Sequence, residues 1–225
     1  MDNKELSPCD YVMRAMDNQP KPLTREMFLS LLEDFGMKFN VQKVREHGAD
    51  AERYKRLLPA VTWQARFNGQ LRKDENAEPT GFFCLDVDIH HEAEFKELVT
   101  TRGYQLACEW AEAEAKRRTQ LWAAMQREEE EALIEKGATC SDPLNIVGIH
   151  ISPSGMGAHV IACCDESCQT IAENQARLAR LLGTSYDEVC KDWARIMFLC
   201  PKEDWTYLDM DNFFSPLLTS PKGEE

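Results

Sequence analysis

Apolar residues recur at helical spacing through "PLTREMFLSLLEDFGMK", residues 22–38. The spacing predicts one helix with Thr24 as its N-cap and Gly36 near its end. Residues 51–67, "AERYKRLLPAVTWQARF", predict a short helix that stops before Pro59, then a strand from Val61 to Phe67. "NGQLRKDENAEPTG" is a polar loop rich in turn residues. In "GFFCLDVDIHH", residues 81–91, an unbroken apolar run predicts that Phe82–Asp88 is a central strand buried on both faces, in one sheet with the strands of a hairpin over 145–164. Residues 92–136 are helical in composition, with a break at Gly103 and a stop at Gly137. Their Glu, Lys, Arg and Gln content predicts one or two mainly exposed helices that project from the sheet, so that deleting them leaves a folded core.

Residues 167–183 form an amphipathic helix ended by Gly183, and 194–200 a short strand closed by Pro201. The chain after Asp209 is polar and predicts a loose tail. This order gives an α+β fold, a mixed or antiparallel sheet with flanking helices. It assigns one domain to 1–210 with a helical insertion at 92–137, and a polar tail to 211–225.

Composition narrows the picture. Apolar residues make up 43% of the 225 positions, enough for a core. No run of about 18 apolar residues is present, so no membrane span is expected. "MDNKELSPCD" lacks the basic and apolar regions of a secretory signal, which points to a reducing cytoplasm for the nine cysteines. "CCDESC" brings Cys163, Cys164 and Cys168 together without a paired C-x-x-C, so zinc is not expected there. The net charge of −13 argues against a general nucleic-acid surface. Residues 1–80 hold 13 basic and 13 acidic residues, so the acidic excess lies in the later part of the chain.

That later part holds the candidate chemistry. Alternation along a strand puts Asp86 and Asp88 on one face. Two carboxylates side by side repel, and a divalent cation removes the repulsion. Mg²⁺ favours one or two carboxylates plus substrate phosphates, and two-metal sites hold their ions roughly 3.5–4 Å apart. In "SPSGMGAH", Gly155 and Gly157 let the backbone approach a ligand, Ser152 and Ser154 supply donors, and His159 opens the return strand. In "SYDEVCKDWARIMFLC", Asp187 and Asp192 precede a strand, and Arg195 suits a phosphate.

"CLDVD", "SGMGAHVI" and "YDEVCKDWARIMFL", in this order, resemble the archaeo-eukaryotic primase (primase–polymerase) superfamily. With "KRLLPAVTW" and "SPSGMG" added, the chain more closely resembles the primase-like N-terminal domain of VirE-type proteins of mobile elements and phages, over roughly residues 50–210. The resemblance implies an RRM-like primase–polymerase sheet. It matches Asp86 and Asp88 to the metal-binding pair and His159 to the histidine at the incoming nucleotide's phosphates. Asp187 matches the third acid of the wider family and Asp192 an acid of the VirE-type version, so the third acid is open between them. Arg195 matches the arginine of the following strand. The long acidic 92–136 segment departs from the family pattern.

The leading expectation is a Mg²⁺- or Mn²⁺-dependent nucleotidyltransferase that makes or extends a primer in phage or mobile-element replication. Its partners would be nucleoside triphosphates, a single-stranded DNA template and a separate or fused helicase. A second expectation is a non-catalytic module of that fold that binds nucleic acid or a helicase. A third is a metal-dependent nuclease in which His90, His91 and His150 join the metal.

Overall fold

The computed structural model describes residues 7–136 and 143–214. In chain order the elements are β1 (Asp10–Val12), β2 (Lys21–Pro22), α1 (Arg25–Leu32), α2 (Phe35–Arg45), α3 (Ala51–Lys55), β3 (Ala60–Thr62), β4 (Ala65–Arg66), β5 (Glu78–Pro79) and β6 (Phe82–Asp88). They continue with α4 (Ala93–Arg102), α5 (Tyr104–Lys136), β7 (Ile146–Ile151), β8 (Gly157–Cys163), α6 (Ile171–Leu182), β9 (Met197–Phe198), β10 (Trp205–Leu208) and α7 (Met210–Phe213). The fold is α+β. Its larger sheet runs β10–β7–β8–β6, a second runs β2–β1–β3–β9, and β4 pairs with β5; every pairing is antiparallel.

β6 has the predicted limits and lies beside β8, but it is the edge strand of its sheet, not a central one. Its apolar run has another cause, because each face meets a different core. Phe83, Leu85 and Val87 pack with α5, α6 and the β7–β8 hairpin, while Phe82 and Cys84 pack with α1, β3 and β9. Asp86 and Asp88 continue the second face. The free edge of β6 is capped rather than left open. Gln175 Nε2 donates to the Cys84 carbonyl at 3.0 Å, and the Asp187 N–H donates to the Asp86 carbonyl at 2.8 Å.

The single helix expected over 22–38 is two helices. Thr24 caps α1 as predicted, accepting from the Met27 N–H. Asp34 then caps α2 by accepting from the Met37 N–H at 2.6 Å, so Gly36 lies in a first turn rather than at an end. Likewise the strand expected over 61–67 divides into β3 and β4 at a turn through Trp63 and Gln64.

The 92–136 segment breaks at Gly103 as predicted, where φ is 94°. The position of Gly137 lies outside the described residues. The segment does not project from the sheet. Ala107, Ala111, Ala115, Trp122 and Ala123 form a buried stripe of α5 in the main core, and the small alanines let the helix lie close to β7 and β8. Glu109, Lys116, Arg117, Arg127 and Glu128 are exposed, while Glu114 and Arg118 are half-buried and paired with each other, Arg118 also pairing with Glu92.

α6 has a complete capping box between Thr170 and Glu173 and ends at Gly183 in a left-handed conformation. The start of the supposed tail is structured. Phe213 is buried, with ring centroids 5.3 Å from Trp63, 5.4 Å from Phe82 and 5.6 Å from Phe28. Residues 215–225 of the expected tail lie outside the described residues. Among the described residues, no helix is long and apolar enough to cross a membrane.

Candidate functional site

The β6–β8 register sets Asp86 opposite His159 and Asp88 opposite Gly157. Asp86 Oδ1 and His159 Nε2 are 3.5 Å apart. Asp187 reaches the same place from the loop after α6, because its N–H is bonded to the Asp86 carbonyl on the free edge of β6. Cys190 completes the cluster, with Sγ 3.4 Å from Asp187 Oδ2 and 3.6 Å from Asp86 Oδ2. Ligand atoms of Asp86, Asp187 and Cys190 lie within 4.8 Å of one another. Arg195 Nη2 stands 3.8 Å from Asp187 Oδ2.

The two acids of the strand diverge slightly in company. Asp88 Oδ1 is 3.8 Å from His90 Nδ1, and Asp88 Oδ2 is 3.6 Å from His91 Nδ1. Both acids open into one cleft of about 810 Å³. Ser152, Ser154, His159, Asp187, Asp192 and Arg195 line it too.

Burial governs the charges here. It pushes the Asp86 carboxyl up to about 7, and Asp88 and Asp187 push in the same direction; Cys190 and Lys55 oppose them. Burial holds His159 well below the usual imidazole range, with His150 and Lys55 adding to the effect. It brings His150 down to about 4 and raises the Cys190 thiol, with Asp86 as the next cause. His90 is lowered by burial, against the pull of Asp88. Cys190 is therefore a protonated thiol that donates toward two acids.

Some predicted residues have other surroundings. Asp192 lines the cleft but is exposed and stands apart from the Asp86–Asp187–Cys190 group. Ser152 and Ser154 bond each other at 3.1 Å, and Ser154 Oγ also accepts from the Met156 N–H. Gly155 and Gly157 do not line the cleft, and packing explains both. Gly155 has φ 77° and faces Glu112 and Arg45, while a Cβ at Gly157 would lie 2.4 Å from the Val87 carbonyl oxygen. His150 is fully buried against His159, ring centroids 4.8 Å apart, and does not belong to the Asp88–His90–His91 group of converging ligand atoms. Among the described residues, Cys163, Cys164 and Cys168 belong to neither group of converging ligand atoms.

Three further residues reach the site without a role in it assigned from sequence, although Lys55 opens "KRLLPAVTW" and Cys190 lies within "YDEVCKDWARIMFL". Lys55 comes from the end of α3, with Nζ 5.5 Å from the Phe198 ring centre. Arg72 comes from the polar loop and donates to the Ala194 carbonyl at 2.8 Å. Cys190 stands between the acids only because the loop after α6 folds onto β6.

The donor set fits a hard divalent cation. Asp86 and Asp187 converge in a poorly solvated place, and burial first, then the charges of Asp88 and Asp187, raise the Asp86 carboxyl. Compared with protein-family models, curated proteins and solved structures, the chain matches none.

Proposed function

We propose that this chain is a metal-dependent nucleotidyltransferase of the primase–polymerase type, with the RRM-like sheet of that superfamily. One observation carries the reading: two chain segments distant in sequence, β6 and the loop after α6, bring Asp86, Asp88 and Asp187 to one cleft that also presents Arg195, Lys55 and Arg72. Asp86 and Asp187, with Asp88 beside them, would hold Mg²⁺ or Mn²⁺. When bound, such an ion neutralises phosphate charge and acidifies an attacking hydroxyl.

The chain's own groups do the rest. Arg195, at 3.8 Å from Asp187, is loosely enough held to turn to a phosphate oxygen. Lys55 and Arg72 give an acidic protein a local positive wall for a triphosphate or a single-stranded template. His159, buried with Nε2 3.5 Å from Asp86 Oδ1 on the next strand, keeps the base of the cleft dry beside that carboxylate. No protein nucleophile is required, because positioning and charge supply the catalysis. The same reading places the chain in the cytoplasm, in replication of a phage or mobile element, alongside a helicase.

The test is primer extension and de novo synthesis on single-stranded DNA with Mg²⁺ or Mn²⁺, for wild type and Asp86→Ala. Incorporation lost in the variant supports the reading. Template binding without incorporation replaces it with the non-catalytic module, and cleavage of the strand replaces it with the nuclease.

A further inference from the structure

β6 does not end in an ordinary loop. It runs straight into a 3-10 turn, Ile89–His91, which is tied down at its first residue. Ile89 is fully buried, and its N–H donates to the Met156 carbonyl at 3.1 Å. Its own carbonyl accepts from the Glu92 N–H at 3.0 Å. With Ile89 anchored, the turn brings His90 and His91 to the same side as Asp88. Each imidazole presents Nδ1 to a different oxygen of the one carboxylate, at 3.8 and 3.6 Å. The two rings are 4.2 Å apart between centroids.

These distances are too long for hydrogen bonds, and His90 Nδ1 is buried with no hydrogen-bond partner. Yet one ligand atom from each of Asp88, His90 and His91 lies within 4.8 Å of the other two. Ligands roughly 2.0–2.2 Å from a common ion stand a little closer together than this, so a small closure completes the set. Two imidazoles with one carboxylate are the donors of a first-row transition metal, whereas Mg²⁺ takes oxygen ligands and keeps its water.

We propose that Asp88, His90 and His91 form a transition-metal site, bound through one carboxylate and two Nδ1 atoms, distinct in donor chemistry from the Asp86–Asp187 pair. Three protein donors leave at least one position open, and Asp88 and His90 line the cleft, so that position faces it. The chemical class of ligand is a borderline divalent ion of the Fe²⁺–Zn²⁺ series. The assignment does not depend on what the cleft catalyses.

Co²⁺ is the probe, because its visible bands report coordination without any activity. The full chain is titrated with Co²⁺ in a large excess of Mg²⁺, as wild type, His90→Gln, His91→Gln, Asp86→Asn and Asp187→Asn. The expected result is a bound Co²⁺ that Mg²⁺ does not displace. Each histidine variant should weaken it by about tenfold or more, while Asp86→Asn and Asp187→Asn retain it. In parallel, Zn²⁺ titration of ¹⁵N-labelled wild type should move the Nδ1 resonances of His90 and His91 and leave His150 in place. This readout needs no variant to fold. The proposal is overturned if the histidine variants bind Co²⁺ as wild type does, if Mg²⁺ competes it away, or if a cobalt–thiolate charge-transfer band puts the ion on cysteine. Unmoved His90 and His91 resonances would overturn it as well. Failure of primer extension would leave it standing, so the two readings fail separately.

Discussion

Asp86 and His159 face each other across β6 and β8 with Oδ1 and Nε2 3.5 Å apart, and burial disfavours the charged form of each. Burial raises the carboxyl to about 7 and presses the imidazole well below its usual range. The acid is the part that an ion or a substrate phosphate group would change, so its linkage to stability is the first thing to measure.

Between the ordinary carboxyl range near pH 4 and the raised value near 7, the folded chain binds more protons at Asp86 than the unfolded chain. Stability from this group is therefore full below about pH 4 and is lost as pH rises toward 7. His159 runs the other way, because its depressed imidazole loses stability as pH falls below about 6.5. Comparison with Asp86→Asn isolates the acid. The variant should be more stable than metal-free wild type by roughly 1–3 kcal/mol at pH 8, and the advantage should vanish near pH 4. Urea unfolding across that range checks it. A variant less stable than wild type at pH 8 would show that the acid is held by compensating contacts.

Gly157 sets how closely the hairpin approaches the acid strand. A Cβ there would lie 2.4 Å from the Val87 carbonyl oxygen, a backbone atom fixed in the sheet. Gly157→Ala should cost about 1–3 kcal/mol. Gly48 has open space around its Cβ position and no positive φ, so Gly48→Ala should be neutral or gain about 0.4–1 kcal/mol. Thermal melts of the two variants give the contrast.

α5 is a structural layer, and its removal should unfold the chain. Trp122 is 1% exposed in the main core and donates Nε1–H to the Leu182 carbonyl at 3.2 Å, joining α5 to α6. Trp122→Ala should cost about 3–5 kcal/mol. Deletion of 104–136 should remove the cooperative transition seen by circular dichroism. A deletion variant that still melts cooperatively would make the segment an appendage after all.

The sequence reveals these features unevenly, for physical reasons. Phe82–Asp88 is legible to the residue, because an apolar run closed by acids has one reading. Its edge position is not, since burial on both faces arises equally from neighbouring strands or, as here, from two packed layers. The α1–α2 break hides because the 3.6-residue period continues through Glu33 and Asp34; the signal is Asp34 itself, a good N-cap. In α5, the count of charged residues masks an alanine and tryptophan stripe that only spacing reveals. Asp86, Asp88, Asp187 and His159 are legible as a candidate group because they sit in short motifs. Lys55 and Cys190 stand in "KRLLPAVTW" and "YDEVCKDWARIMFL" without a role assigned to them, and Arg72 in a plain polar loop; tertiary packing brings all three to the cleft.

The choice between Asp187 and Asp192 rests on the backbone. Sequence leaves both open, since each precedes the short strand β9 at a plausible distance. In the fold, the Asp187 N–H is bonded to the Asp86 carbonyl at 2.8 Å, and its carboxylate shares the Cys190 thiol with Asp86. Asp192 is five residues further along the loop and exposed, with its carbonyl accepting from the Arg195 N–H at 3.1 Å. An ion proposed at Asp86 would draw its next carboxylate from Asp187, and Asp192 would act on it only through screened field. Asp187→Asn should weaken Mn²⁺ binding by about tenfold or more and abolish incorporation, leaving the melting temperature near or above that of wild type. Asp192→Asn should change both by no more than about threefold. Isothermal titration with Mn²⁺ and primer extension on the two variants decide between them. Equal losses in both would mean that the loop rearranges on metal binding, and a larger loss in Asp192→Asn would reverse the assignment.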